Sequence, residues 1–423
     1  MPTLARTFRS FRTRNYRLFY LGQLVSLSGT ACQVVALSWV VYRLTDSAVA
    51  LGAVTGLSLL PMLLAGPWGG LLADRFDKRR LLIAANAFLA ATAALLAAVT
   101  LLGTPRVWQL CVLAFFSGLG SAVEIPTRQA FVNELVGPEQ LPNAIGLNSA
   151  LFNASRILGP AVAAGLLALV GGGWCFVANA VSFLAVIEAY RRMRTEELRP
   201  ADRQEARRGQ LRQGLRYAWG EPVLRRTLLL VGVVAFASFN FPVILPVLAE
   251  RSYAGGSALF STLTATMGAG SVVGALVVAG RRQPTDRVLL VTGMASGVLL
   301  AAAASTTWLV LVLPLLALAG GAGIAFFSTA NARIQLVADG ELRGRVMALY
   351  TLVFLGSMPV GAPLVGWVAQ RFGPRVALGG GGLIAAVAVA VALLPAALAG
   401  RGAAAPATPP EPEVATEAAL TTA

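Results

Sequence analysis

Apolar residues run along this chain in blocks of about twenty, separated by short polar stretches. A bilayer core about 30 Å thick is crossed by about 20 apolar residues in a helix, and only helices and closed barrels satisfy their backbone hydrogen bonds in lipid. The blocks predict helices near 18–42, 48–73, 81–103, 106–124, 142–169 and 173–190, then near 226–249, 257–279, 287–305, 308–328, 345–368 and 375–398. We number these spans 1 to 12. A polar interruption at 191–225 divides them six and six. The expected fold class is an all-α polytopic membrane protein, with six-helix halves at 18–190 and 226–398.

Composition supports a chain in lipid: mean hydropathy is +0.71, and 44 glycines among Ala, Leu and Val suit helices packed closely in a membrane. A net charge of +15 raises the alternative of nucleic-acid binding. Threading the spans with the N-terminus inside places 28 of the 34 Lys and Arg on one face, five in the opposite loops, and Arg156 within a span. That asymmetry is a topology signal, predicting both termini in the cytoplasm and no nucleic-acid partner. The run from Leu18 to Tyr42 is too long for a signal peptide, so it is expected to be retained. Before it, Phe8, Phe11, Arg12, Tyr16 and Phe19 suggest an amphipathic collar at the cytoplasmic interface, with residues 1–17 as an N-tail.

Within 191–225, Leu211, Leu215, Ala218 and Trp219 recur at helical spacing and predict a short interfacial helix. The Pro- and Ala-rich residues 399–423 read as a disordered cytoplasmic tail. The halves echo each other weakly, with Arg128 after span 4 opposite Arg333 after span 10. Parallel six-helix repeats are one architecture of secondary transporters, whose substrate site lies between the halves.

Between spans 2 and 3 stands GGLLADRFDKRR, residues 69–80, where two carboxylates and four cations crowd together. Gly70, Asp74, Arg75, Lys78 and Arg79 resemble the motif that the major facilitator superfamily carries at this place, with Asp77 where that motif has a second glycine. NYRLFYLGQLVSLSGT, EIPTRQAF and ELRGRVMALYTLVF resemble a bacterial exporter branch of that superfamily which includes macrolide and enterobactin efflux proteins. The resemblance spans nearly residues 10–398 and implies a rocking transporter. It further implies that Asp74 sits against the start of span 11, where a positive helix end favours a carboxylate, and that Lys78 or Arg79 reaches Glu124 at the cytoplasmic end of span 4. A loop obeying the positive-inside rule explains the cations alone, not the acids. Gly146, Gly159 and Pro160 in span 5, with Ser155, Ala163 and Ala164, resemble the glycine-rich pattern common in antiporters; generic helix packing is the alternative.

Polar groups within spans are expensive in lipid, so Gln33, Asn153, Arg156, Asn179 and Asn240 are candidates to line a cavity or pair between helices. Pro242 and Pro246 predict a bend in span 7. With no histidine, His-based proton relays and His-ligated zinc are excluded, and the single lysine, Lys78, builds no phosphate loop. Cys32, Cys111 and Cys175 read as isolated packing residues. No cofactor or metal is expected, and the chain is read as a transporter, not an enzyme. The reading is proton-coupled efflux of a small amphipathic substrate by a monomer in a bacterial inner membrane, with Glu124 and Arg128 as candidate coupling groups. An importer or facilitator on the same fold, or a membrane sensor or assembly factor without transport, are the alternatives.

Overall fold

The computed structural model describes residues 9–137, 139–199, 210–279, 284–340 and 342–399. Among them there is no strand, and twelve helical segments are long and apolar enough to cross a membrane. The first half comprises span 1 (Arg14–Thr45), span 2 (Ala48–Arg75), span 3 (Lys78–Leu102), span 4 (Val107–Val136), span 5 (Leu141–Leu169) and span 6 (Gly172–Arg191). Helix Gln210–Gly220 precedes the second half. There, span 7 is two helices, Pro222–Ser238 and Phe241–Tyr253, followed by span 8 (Gly256–Ala279), span 9 (Asp286–Ser305) and span 10 (Leu309–Val337). Span 11 is again two helices, Arg343–Gly356 and Met358–Phe372, and span 12 is Pro374–Ala399. The expected tail at 399–423 and Phe8 of the expected collar lie outside the described residues, Ala399 excepted.

The broken spans follow from proline chemistry. Pro242 and Pro359 lack a backbone N–H and disfavour helical backbone in the residue before them, so each helix stops shortly upstream and restarts around the ring. Span 4 differs in the opposite sense. Its apolar run ends near Glu124, yet the helix continues to Val136, because Phe131, Val132, Leu135 and Val136 are buried against Tyr16, Phe19 and Tyr190. The same cluster corrects the amphipathic collar. Tyr16 and Phe19 are fully buried inside span 1, and Asn15 exchanges hydrogen bonds with the backbone of Arg194 (2.8 and 3.0 Å).

Packing repeats between the halves. Span 2 packs on 4, 3 on 6, 1 on 6 and 3 on 4; the second half pairs 8 with 10, 9 with 12, 7 with 12 and 9 with 10. The two most extensive seams between the halves are span 2 on 11 and span 5 on 8, and each maps onto the other when the halves are exchanged. Both are close. A Cβ on Gly52 would lie 2.5 Å from the Ala362 carbonyl oxygen, and one on Gly268 would lie 2.6 Å from that of Arg156. Lipid is as apolar as leucine, so such seams depend on close packing and polar links, not on exclusion of water.

The buried core is not symmetric across the membrane. On the face opposite the linker, hereafter the far face, one cluster runs through both halves, from Val35, Leu51 and Val54 to Leu245, Leu248 and Val365. On the linker face the halves keep separate clusters, one around Tyr16, Phe131 and Tyr190 and one around Val231, Phe326 and Leu349.

Candidate functional site

A cavity of about 460 Å³ lies between the halves on the linker side of the shared core. Span 1 lines it with Gln23, Ser26, Thr30 and Gln33, and span 4 with Ser117, Ser121, Glu124 and Arg128. Within each set the residues stand three or four apart and therefore share one helix face. Of the described residues lining the cavity, Glu124 and Arg128 are the charged ones. They form an ion pair one turn apart, Arg128 Nε donating to Glu124 Oε1 at 2.9 Å, with side chains only 5% and 11% exposed. The amides are also tied together. Asn179 Nδ2 donates to Gln33 Oε1 at 2.8 Å, and Gln23 Nε2 to the Tyr190 hydroxyl at 2.8 Å.

The second half supplies an aromatic wall. The break in span 7 brings Phe239, Asn240, Phe241 and Pro242 to the cavity, and Asn240 Nδ2 donates to the Phe236 carbonyl beside the break (2.8 Å). Phe239 stacks edge-on against Phe241 and Phe327, with centroids 5.2 and 5.0 Å apart, and Phe354 backs Phe327 at 4.8 Å. One wall thus offers hydroxyls, amides and a paired charge, the other ring faces. This combination suits an amphipathic guest.

Beyond the cavity the halves are closed by a polar network. Arg251, near the end of span 7, donates to the Tyr42 hydroxyl (3.2 Å), the Asp46 carbonyl (2.7 Å) and Gln370 Oε1 (3.4 Å), and pairs with the Asp46 carboxylate at 3.4 Å. Gln370 Oε1 also accepts from the Ala48 amide at 2.9 Å, and Arg43 approaches Glu250 at 3.7 Å. Among the described residues, every hydrogen bond and ion pair that links the halves belongs to this far-face group.

The residues of the span 2–3 motif divide. Arg79 caps the end of span 6, donating to the carbonyls of Tyr190 (2.7 Å) and Arg191 (2.9 Å). Asp77 accepts from the Arg80 amide at 2.7 Å as the cap of span 3. Lys78 reaches Glu134 at 2.7 Å, not Glu124. The reason is the length of span 4, which carries Glu124 about 18 Å, or twelve residues, from its linker-face end. Asp74 and Arg75 are exposed, and among the described residues Asp74 makes no hydrogen bond or ion pair with the start of span 11. A Cβ on Gly70 would meet nothing within 4 Å. In the second half, Asp286 opens span 9 and pairs with Arg226 of span 7 and Arg333 of span 10, both at 2.9 Å.

Of the other candidates, Gln33, Asn179 and Asn240 line the cavity, whereas Asn153 and Arg156 do not. Asn153 bonds its own helix at the Ser149 carbonyl (2.9 Å), and the Arg156 guanidinium lies over the Phe152 ring, 5.6 Å from its centroid. In the span 5 motif, Gly159 admits span 1, since a Cβ there would collide with that of Ala31; a Cβ on Gly146 would meet nothing within 4 Å, and Pro160 is accommodated inside the helix. Cys32 and Cys175 are not isolated, because their thiols meet across spans 1 and 6. Sequence reasoning missed the polar stripes as such, although their three- and four-residue rhythm was available. It also missed the aromatic wall, Glu134 and the roles of Arg251 and Gln370.

The Gly52 contact carries a prediction. The atoms that a larger side chain would strike, the Ala362 oxygen and Pro363 Cα at 2.8 Å, are backbone and cannot rotate away. In a background free of Cys32, Cys111 and Cys175, Gly52→Val is expected to make a Leu51→Cys thiol, buried otherwise, reactive toward a membrane-impermeant maleimide from the far face. Equal labelling with Gly52 intact would show that the seam tolerates the change.

The sequence profile of a family described as "Transmembrane secretion effector" matches residues 5–420. The staphyloferrin A transporter of Staphylococcus aureus is 27% identical over 62% of this chain and 66% of its own length, just under two thirds of that relative. The multidrug efflux pump Tap of Mycolicibacterium fortuitum is 27% identical over 84% of the chain and 89% of its length. Among solved structures, a bacterial homolog of the human lysosomal transporter Spinster, inward-facing and unoccupied, superposes with a TM-score of 0.71 at 16% identity, covering 92% of this chain and 97% of that one.

Proposed function

The chain belongs to the transmembrane secretion effector family of major facilitator transporters, multi-pass membrane proteins and not enzymes, and on that footing we propose that it exports small amphipathic compounds by proton-coupled alternating access. The observation that carries the reading is the cavity itself. It lies between an aromatic wall and a wall of hydroxyls and amides, holds one buried carboxylate–guanidinium pair, and is closed toward one face only.

The linker face is the cytoplasmic one in this reading, supported by the 28 Lys and Arg assigned to it. The conformation described is then inward-facing, with the far-face network closed and the linker-face cores apart. Among the described residues Asp74 makes no hydrogen bond or ion pair, and in this reading its partner surface on span 11 forms only in the outward-facing state. Glu124 is the coupling group: a proton on its carboxyl releases Arg128, and substrate departure or reclosure restores the pair. One chain supplies both walls, so a monomer suffices. Efflux relatives support the direction of transport.

The test is uptake into inverted membrane vesicles with an acidic lumen, using a panel of amphipathic cations, neutral macrocycles and polycarboxylates. Accumulation that collapses with a protonophore is the expected result. Accumulation only in right-side-out vesicles would make the protein an importer, and gradient-independent equilibration a facilitator.

A further inference from the structure

On the outer surface of the second half, spans 7 and 12 leave a groove of about 520 Å³ at their linker-face ends. Leu229, Leu230 and Val233 form one side, and Ala388 and Ala392, whose small side chains make the surface concave, form the other. Leu229 is 52% exposed, so the groove faces the bilayer. From Arg225 to Val233 it follows the helix for eight residues, about 12 Å.

One end is polar. Arg225 and Arg226 line it. Arg226 gives both of its bonds to Asp286 through Nη2 (2.9 and 3.0 Å), and its Nε is buried without a partner. Among the described residues, the exposed Arg225 makes a single long hydrogen bond, 3.4 Å, with the Trp219 carbonyl. Helix Gln210–Gly220 ends just before the groove, with Arg216 and Trp219 exposed, an arrangement that sits at headgroup level. Arg225 and Arg226 both line this end, and the one carboxylate paired with Arg226, that of Asp286, is already shared with Arg333. The charge balance favours an anion, and the apolar groove that leads away from it favours an acyl chain.

We propose that this groove is a binding site for one anionic phospholipid, its phosphate at Arg225 and Arg226 and one acyl chain along Leu229, Val233, Ala388 and Ala392. A zwitterionic lipid offers the chain without the net charge, and a free phosphate the charge without the chain.

Native mass spectrometry of the full chain in detergent, with phosphatidylglycerol or phosphatidylcholine of matched chains added, reads this directly. The intact protein should retain one phosphatidylglycerol in preference to phosphatidylcholine, and glycerol 3-phosphate should not displace it. Arg225→Gln removes the exposed cation, and Leu229→Trp fills the groove from its lipid-facing side. Each should lower retention about tenfold, equivalent to about 1.4 kcal/mol, with thermal unfolding unchanged. Equal retention of the two lipids, displacement by glycerol 3-phosphate, or retention unaltered in both variants would each overturn the site.

Discussion

Replacing Glu124 by glutamine is expected to abolish uphill efflux while leaving substrate binding and passive exchange in place. The carboxylate is the only acid among the described residues lining the cavity, and the chain has no histidine to substitute for it. Glutamine keeps the shape and can still accept a hydrogen bond from Arg128, but it cannot take up or release a proton. It also leaves Arg128, 5% exposed, without its counter-charge. Removing one partner of a fully buried pair costs about 3–5 kcal/mol, and water in the cavity reduces that, so a fall in Tm accompanies the loss. The double variant Glu124→Gln/Arg128→Gln separates the effects, since removing both charges should recover Tm without recovering pumping. Full pH-driven accumulation by Glu124→Gln would move coupling elsewhere, with Asp46 the next candidate.

The second large effect concerns the two ends of the seam. Arg251→Ala removes the hub that holds Tyr42, Asp46 and Gln370 together. Hydrogen bonds to a charged group are worth about 1.5–3 kcal/mol each when well sheltered, and Arg251 is partly exposed. A net loss of about 1.4 kcal/mol, or about tenfold in the ratio of the two states, is therefore expected in favour of the outward-facing one. Asp74→Asn should shift the ratio the other way. In the mechanism proposed it removes a contact made only when the linker face closes, so transport should fail while expression stays normal. A cysteine placed near Arg345 reports both. Its labelling from the linker face should fall with Arg251→Ala and rise with Asp74→Asn. Labelling that moves in the same direction in both variants would remove the reciprocal-latch mechanism.

The twelve spans were legible because lipid demands long apolar helices, and their bounds fall within a few residues of the apolar runs except where packing intervened. Span 4 is the clearest exception. Hydropathy ends it at Glu124, but Arg128 and Glu134 are internally paired, and pairing lets a polar turn stay helical. The collar failed for a related reason, because Tyr16 and Phe19 look interfacial in one dimension and are buried by span 4 and Tyr190 in three. Gln33, Asn179 and Asn240 were found since amides in apolar runs are conspicuous. Asn153 and Arg156 are equally conspicuous, yet Asn153 bonds its own helix and the Arg156 guanidinium is taken up by the Phe152 ring, so neither joins the cavity lining. The far-face seal had no local signal, since Asp46, Arg251 and Gln370 each look like ordinary loop-flanking residues until the fold brings them together.

The stitches of the two faces also fix an order of assembly. Asn15 and Arg194 must both be present before the linker end of the first half closes, and among the described residues the hydrogen bonds of that closure extend no further than Arg199. The far-face seal waits for Gln370. At about 5–20 residues per second of synthesis, the growing chain spends on the order of ten seconds or more between these events with a completed first half and no opposing seal. A ribosome stalled between the two halves would therefore leave in the membrane a bundle whose cavity wall of hydroxyls, amides and one ion pair has no second half to cover it. That makes such truncated products a natural target for membrane quality-control proteases.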